Sequence, residues 1–326
     1  QTRIYKNRRH RLLRIIHPLE FSIWEIEAWI GFTLAASVMQ AVRTAGQKHL
    51  TLHMDAVGAT LVRYLFGLPF VLIYVTSLLN YFDVSFPTLN TEFWLSSIAA
   101  GLFQIAGTVC LVYLFSLRNF AVGTTYSKSE VFLTALVALV VFGEVIPAMG
   151  WVAITISVVG VLIINAARTK AAGMSSFESY WNKAAAVGLS TGFCMAFSSL
   201  FIRKSGLSLG LDNAVLSAAT TLTVMVAMQA AALLAYLGIR DRAQIVSIMR
   251  NWKPCLFVGL TSVTGSALWF TAFTLQQVSY VKALGLVEMV LVILITTFFF
   301  KEHISRKEIT GMALVTLGII LLLTLA

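Results

Sequence analysis

Long apolar runs alternate with short polar connections along this chain. Runs able to cross a bilayer core of about 30 Å at about 1.5 Å per residue fall at residues 28–46, 56–79, 93–117, 121–142, 147–166, 184–202, 213–238, 254–275, 280–300 and 309–325. The pattern predicts an all-α polytopic membrane protein of about ten transmembrane helices. Only Arg118, Asn119 and Phe120 part the third run from the fourth, so nine or eleven spans are the alternatives. The longest polar connection, Ala166 to Lys183, lies at the middle of the chain.

That midpoint invites a comparison of the two halves. A displacement of 158 residues lays Gly101-Leu102 on Gly259-Leu260, Gly107 on Gly265, Phe115 on Phe273, Glu130 on Glu288, Phe142 on Phe300, Glu144 on Glu302 and Gly160 on Gly318. One residue less lays Gly31 on Gly188 and Asp55 on Asp212. Matches of Gly or Phe are cheap in such a composition, but the chain has only 14 acidic residues, and three pairs of them match. The expected organisation is a basic N-terminal or interfacial segment (1–27), a first five-helix repeat (28–166), a linker (167–183) and a second five-helix repeat (184–326). Five is odd, so the second copy crosses the membrane in the opposite sense, giving inverted repeats about a pseudo-two-fold axis in the membrane plane.

Composition narrows the class. The chain is 58% hydrophobic and 12% charged with a mean hydropathy of +0.85, where soluble domains are roughly 25% charged; a soluble protein is excluded. The net charge of +10 does not indicate nucleic acid, because Lys and Arg fall mostly between the apolar runs, as membrane topology requires. Cys110, Cys194 and Cys255 are odd in number and lack metal-ligand spacing, so neither a disulfide framework nor a zinc site is expected. Orientation is contested. Arg3, Lys6, Arg8, Arg9, Arg11 and Arg14 argue for a cytoplasmic N-terminus, whereas the connections after the odd-numbered spans hold far more Lys and Arg than those after the even-numbered ones and argue for termini outside.

Ionisable groups deep in apolar runs are costly and mark pathways or binding sites. Glu130 and Glu288 lead, each about nine or ten residues into its span and related by the repeat. A desolvated carboxylate there could exchange a proton for solute, or form an ion pair that fixes helix packing. Lys128 stands two residues from Glu130, about 200° around a regular helix, so the two are not expected to share a face. Arg63, about eight residues into the second span, is a candidate partner. Lys282 and Arg43 lie near span ends, where snorkelling competes with a place in the cavity. If Arg43, Arg63, Lys128 and Lys282 all face inward, the cavity has a positive excess that suits an anionic solute. Polar stripes occur at Thr33, Ser37, Gln40 and Thr44, at Gln104, Gly107 and Thr108, and at Ser262, Gly265, Ser266, Trp269 and Phe273. They read either as helix packing or as a cavity wall, with Trp269, Tyr113 and Tyr126 enclosing a solute. His49 and His53 at i, i+4 fall in a connection without a third ligand, which favours a solvated loop over a metal. No hydrolase elbow, zincin motif or phosphate-binding Gly-rich loop occurs. No enzyme activity, cofactor or ATP use is expected.

Phe142-Gly143-Glu144 with Gly160, and Phe300-Lys301-Glu302 with Gly318, resemble the end of the EamA-like domain, in which an apolar fourth helix meets a Gly-Glu or similar dipeptide and a Gly-containing fifth helix. The chain thus resembles, over residues 28–325, the ten-helix branch of the drug/metabolite transporter superfamily built of two EamA-like domains. That resemblance implies a secondary transporter of the plasma (inner) membrane with cytoplasmic termini. By analogy with members that handle amino acids and organic anions, it implies export of a small metabolite, with proton coupling and a homodimer as further possibilities. A flippase for a lipid-linked substrate and a facilitative uptake carrier of the same fold are the alternatives. Relatives often break the fourth and ninth helices with Ser-Pro, whereas this chain has Glu130-Val131 and Glu288-Met289.

Overall fold

The structure, a computed structural model, describes residues 28–117, 127–171, 183–290 and 305–324. Among these residues there are helices and connections and no strand. In chain order the helices are α1 (28–50), α2 (Ala56–Leu65), α3 (Leu68–Phe82), α4 (Thr91–Leu114), α5 (Glu130–Phe142), α6 (Ala148–Ala171), α7 (Lys183–Ser208), α8 (Ala214–Arg240), α9 (Arg242–Arg250), α10 (Trp252–Leu275), α11 (Val278–Gly285) and α12 (Arg306–Leu323). The segments Ala56–Phe82, Thr91–Leu114, Ala186–Ser208, Ala214–Arg240 and Trp252–Leu275 are each long and apolar enough to cross a membrane, and Glu130–Phe142 and Ala148–Ile164 are shorter apolar helices. The chain is a multi-pass membrane protein. The basic tail, Arg118 to Tyr126, residues 172–182 of the linker, and Phe300-Lys301-Glu302 lie outside the described residues.

Side-chain caps set where several helices begin. Asp55 accepts from Gly58 N at 2.7 Å to start α2, and Asn213 accepts from Val215 and Leu216 N to start α8. These two caps stand 213 − 55 = 158 residues apart, the displacement of the other repeat matches. The pairing of Asp55 with Asp212 is therefore corrected: Asn213 has the capping role, and Asp212 lies one residue outside it.

Close crossings use glycine. A Cβ at Gly318 would overlap Ser157 Oγ and lie 2.7 Å from the Ala153 carbonyl, and one at Gly160 would lie 2.7 Å from the Gly311 carbonyl, so α6 and α12 meet backbone to backbone. Gly107 abuts Cys194 and Met195 of α7, and its repeat counterpart Gly265 abuts Met39 of α1. Small residues let membrane helices approach to van der Waals contact where no hydrophobic force draws them together.

Three predicted spans are interrupted. The second breaks at Phe66 and Gly67 between α2 and α3, where Pro69 in the first turn of α3 has no N–H to continue the ladder. The fourth has a turn at Lys128-Ser129 just before α5, and the ninth a turn at Leu286 between α11 and a helical stretch at 287–290. These last two breaks are repeat-related, since 286 − 128 = 158. Neither contains proline. The absence of a Pro breaker does not keep these helices continuous, and tertiary packing supplies the reason at the first: a Cβ at Gly192 of α7 would stand 3.1 Å from Glu130 N and the Ser127 carbonyl, so the glycine admits the turn.

Candidate functional site

The two glutamates lie immediately after these turns. Glu130 is the first residue of α5, and Glu288 the second of the stretch at 287–290. The carboxylates thus stand where the predicted spans break, as in transporter sites built on discontinuous helices. Each glutamate takes a lysine from the opposite half of the chain. Lys282 Nζ lies 2.5 Å from Glu130 Oε1, and Lys128 Nζ lies 3.3 Å from Glu288 Oε2.

All four charges line one cavity of about 330 Å3, together with Gln40, Arg43, Thr44, Arg63, Gln104, Ser266, Trp269 and Phe273. The helical-wheel expectation that Lys128 and Glu130 face apart is overturned. The intervening residues form a turn rather than a regular helix, so both side chains reach the same space. The snorkelling reading of Lys282 also fails: its ammonium is held by Glu130 and sits 5.2 Å from the ring centroids of both Trp269 and Phe273. These rings stack at 5.6 Å and supply a cation–π wall.

Arg63 does not pair with a carboxylate as expected. Its Nη1 donates to Thr108 Oγ1 at 3.2 Å and its Nη2 to Ser266 Oγ at 3.1 Å. These hydroxyls are repeat-related, because 266 − 108 = 158, so Arg63 is clasped by equivalent atoms of both halves. The span-end reading of Arg43 is corrected: the apolar run ends at residue 46, but the helix does not. The helix continues to 50, which carries Arg43 inward to a position 5% exposed, with its Nε unpartnered.

Gln104 lines the cavity and accepts from Gln229 Nε2 at 2.9 Å, which fixes its amide against α8. Tyr113 is placed elsewhere: its ring packs 5.2 Å from Lys183 Nζ and is not on the cavity wall, because the face of α4 that looks inward there carries Leu111 and Phe115. Tyr126 lies outside the described residues. The polar stripe of α1 divides. Thr33 and Ser37 are fully buried and back-bond to the carbonyls of Trp29 and Thr33, whereas Gln40 and Thr44 face the cavity. His49 and His53 are exposed with ring centroids 5.8 Å apart, and no group of three metal-ligating side chains occurs among the described residues.

Beyond the Ile202 and Phe273 end of the cavity, Arg203 ties three helix ends together. Its Nη1 donates to the Phe273 and Gln276 carbonyls at 2.5 Å each, and its Nε lies 3.7 Å from Glu144 Oε1 in the connection after α5. The carbonyls at the end of α10 are orphans of the helix ladder, and a guanidinium satisfies two of them at once. Burial holds the Glu144 carboxyl above the usual carboxylate range, and the Arg203 charge opposes that lift.

A family model described as the EamA-like transporter family matches residues 27–166 and 182–324. No curated protein matches the chain. Among solved structures, one crystal structure is similar at a TM-score of 0.67 over 93% of this chain and 96% of that one, with 14% identity. That likeness concerns the fold.

Proposed function

We propose, of a chain that belongs to the EamA-like transporter family, that it is a secondary active transporter exporting a small metabolite, an organic anion or an amino acid, across the plasma (inner) membrane. Its architecture in this reading is ten spans in two inverted five-helix repeats, residues 28–166 and 184–326. The observation that carries the reading is the cavity of about 330 Å3 crossed by two lysine–glutamate pairs, each joining one half of the chain to the other. Cavities of about 300–1,000 Å3 suit small solutes. The repeat-related caps Asp55 and Asn213, the repeat-related turns before Glu130 and Glu288, and the glycines Gly107 and Gly265 support the duplication.

Rocking of one half against the other shears both pairs, so they are the contacts that alternating access must break and remake. A solute anion competes with Glu130 for Lys282 and with Glu288 for Lys128. A glutamate released from its lysine becomes a desolvated carboxylate, and taking up a proton restores the charge balance. Solute binding and proton uptake thereby favour one another at one site, which couples the two movements.

The test is counterflow in proteoliposomes with a panel of radiolabelled amino acids and organic anions. Saturable uptake accelerated by unlabelled solute inside is expected. Glu130→Gln is expected to slow that exchange and flatten its pH dependence while the amount of folded protein is kept. Transport that is independent of internal solute for every member of the panel would replace the carrier with a channel, and an unchanged pH profile in Glu130→Gln would remove the proton from the mechanism.

A further inference from the structure

The charges on the cavity wall do not balance. Among the described residues, four cations (Arg43, Arg63, Lys128 and Lys282) and two anions (Glu130 and Glu288) line it, an excess of 4 − 2 = +2. Among the described residues the lysines are answered by the glutamates, and the arginines by no carboxylate: Arg63 bonds to two neutral hydroxyls, and Arg43 has a buried Nε with no partner. Both arginines are 5% exposed. Two buried guanidiniums on the wall of one cavity without a counterion are costly, and an anion entering the cavity removes that cost.

Resting on the carrier reading above, the geometry points to Arg43 and Arg63 as the anion subsite of the cavity and to a solute with two negative charges, a small dicarboxylate or a phosphate monoester. Guanidinium forks match carboxylate and phosphate oxygens in bidentate fashion. A dianion cancels the excess of +2, and a monoanion leaves one guanidinium bare. A zwitterion fits worse, since it brings no net charge to cancel the excess and its ammonium must displace a lysine to reach a carboxylate. The position of Arg63 adds a reason for its use. Its two hydroxyl partners, Thr108 and Ser266, are equivalent positions of the two halves, so Arg63 sits at their pseudo-symmetric midpoint. A solute held there is presented alike to both halves, as a site visited from both sides of the membrane requires.

The experiment is isothermal titration of the full chain in detergent with succinate, glycerol phosphate, butyrate, the neutral isostere succinamide and dihexanoyl phosphatidate. Succinate or glycerol phosphate is expected to bind at least about ten-fold more tightly than butyrate, with no heat from succinamide, and Arg43→Gln and Arg63→Gln are each expected to weaken the dianion by a further factor of about ten or more. The comparison of succinate with succinamide uses unaltered protein, so it decides the matter even if a variant does not fold. Equal binding of the amide, or binding of no dianion in the series, overturns the subsite. If counterflow of another solute then persists, the carrier stands without it; if counterflow is also absent, the carrier falls too. Binding of the phosphatidate alone keeps the subsite and assigns it to a lipid headgroup, which removes the soluble solute.

Discussion

The Lys282 ammonium lies 2.5 Å from the Glu130 carboxylate, a contact between the second half of the chain and the first. The two side chains are 15% and 19% exposed, so cavity water reaches the pair. Removing one partner of a fully buried pair costs roughly 3–5 kcal/mol, mostly from the charge left behind, and the partial access lowers this to about 1–3 kcal/mol here. Glu130→Gln and Lys282→Gln are each expected to lower the melting temperature, and the double variant to be no worse than the worse single one. A double-mutant cycle on purified protein checks this; additive losses would mean that the two charges do not stabilise one another.

Gly318 and Gly160 hold α6 against α12 at backbone distance. An alanine Cβ at Gly318 would overlap Ser157 Oγ and crowd the Ala153 carbonyl, whereas nothing lies within 4 Å of a Cβ at Gly31. Gly318→Ala is expected to cost about 1–3 kcal/mol, the usual range for overpacking, and Gly31→Ala to be neutral or slightly stabilising. Thermal unfolding of the two variants side by side tests the crossing. Equal behaviour would show that α12 moves aside freely.

Arg203 and Glu144 separate two kinds of stabilisation. The Phe273 carbonyl of α10 and the Gln276 carbonyl just beyond it depend on Arg203, so Arg203→Ala is expected to cost about 1–3 kcal/mol through unsatisfied acceptors. Glu144 behaves differently. A carboxyl raised on folding binds its proton more tightly in the folded chain, so its contribution is complete below the unfolded value and is lost as pH rises through the folded one. Glu144→Gln, which imitates the protonated form, is expected to match the wild type below about pH 4 and to melt higher from neutral pH upward. Melting curves across pH distinguish this from a strong Arg203–Glu144 bond, which would make Glu144→Gln the less stable protein at neutral pH.

Charge in an apolar run is a strong signal, and it is why Glu130, Glu288, Lys128, Lys282 and Arg63 stood out individually as site candidates, while which of them face one another was not legible. Gln104 and Trp269 followed from helical spacing. What the sequence did not reveal depends on backbone departures set by tertiary packing. The turn at Lys128-Ser129 contains no proline or glycine of its own; the permitting glycine, Gly192, is on another helix. The place of Arg43 was left open because polar residues continue α1 past its apolar run, and α9 was hidden by being short and polar between two long spans. Tyr113 was misplaced because an aromatic ring, unlike a charge, is no more at odds with one face of a membrane helix than another.

Gly285 and Trp269 fit each other closely enough to be tested by exchanging volume between them. A Cβ at Gly285 would stand 2.7 Å from Trp269 Cη2, and the indole is 7% exposed with its Nε1 buried and unpartnered. The ring therefore has no hydrogen bond to hold it, and its position is set by the gap at Gly285 and by stacking on Phe273. Gly285→Ala is expected to cost about 1–3 kcal/mol and to change the near-ultraviolet tryptophan signal as the indole is pushed from its place. Trp269→Phe removes the atom that clashes. The double variant Gly285→Ala with Trp269→Phe is thus expected to recover part of the melting temperature lost in Gly285→Ala alone, because the smaller ring vacates the space the new methyl enters. Summed losses in the double variant would show that Gly285 serves the turn at Leu286 rather than the ring, and the wall of the cavity beside Lys282 would then owe its shape to the backbone alone.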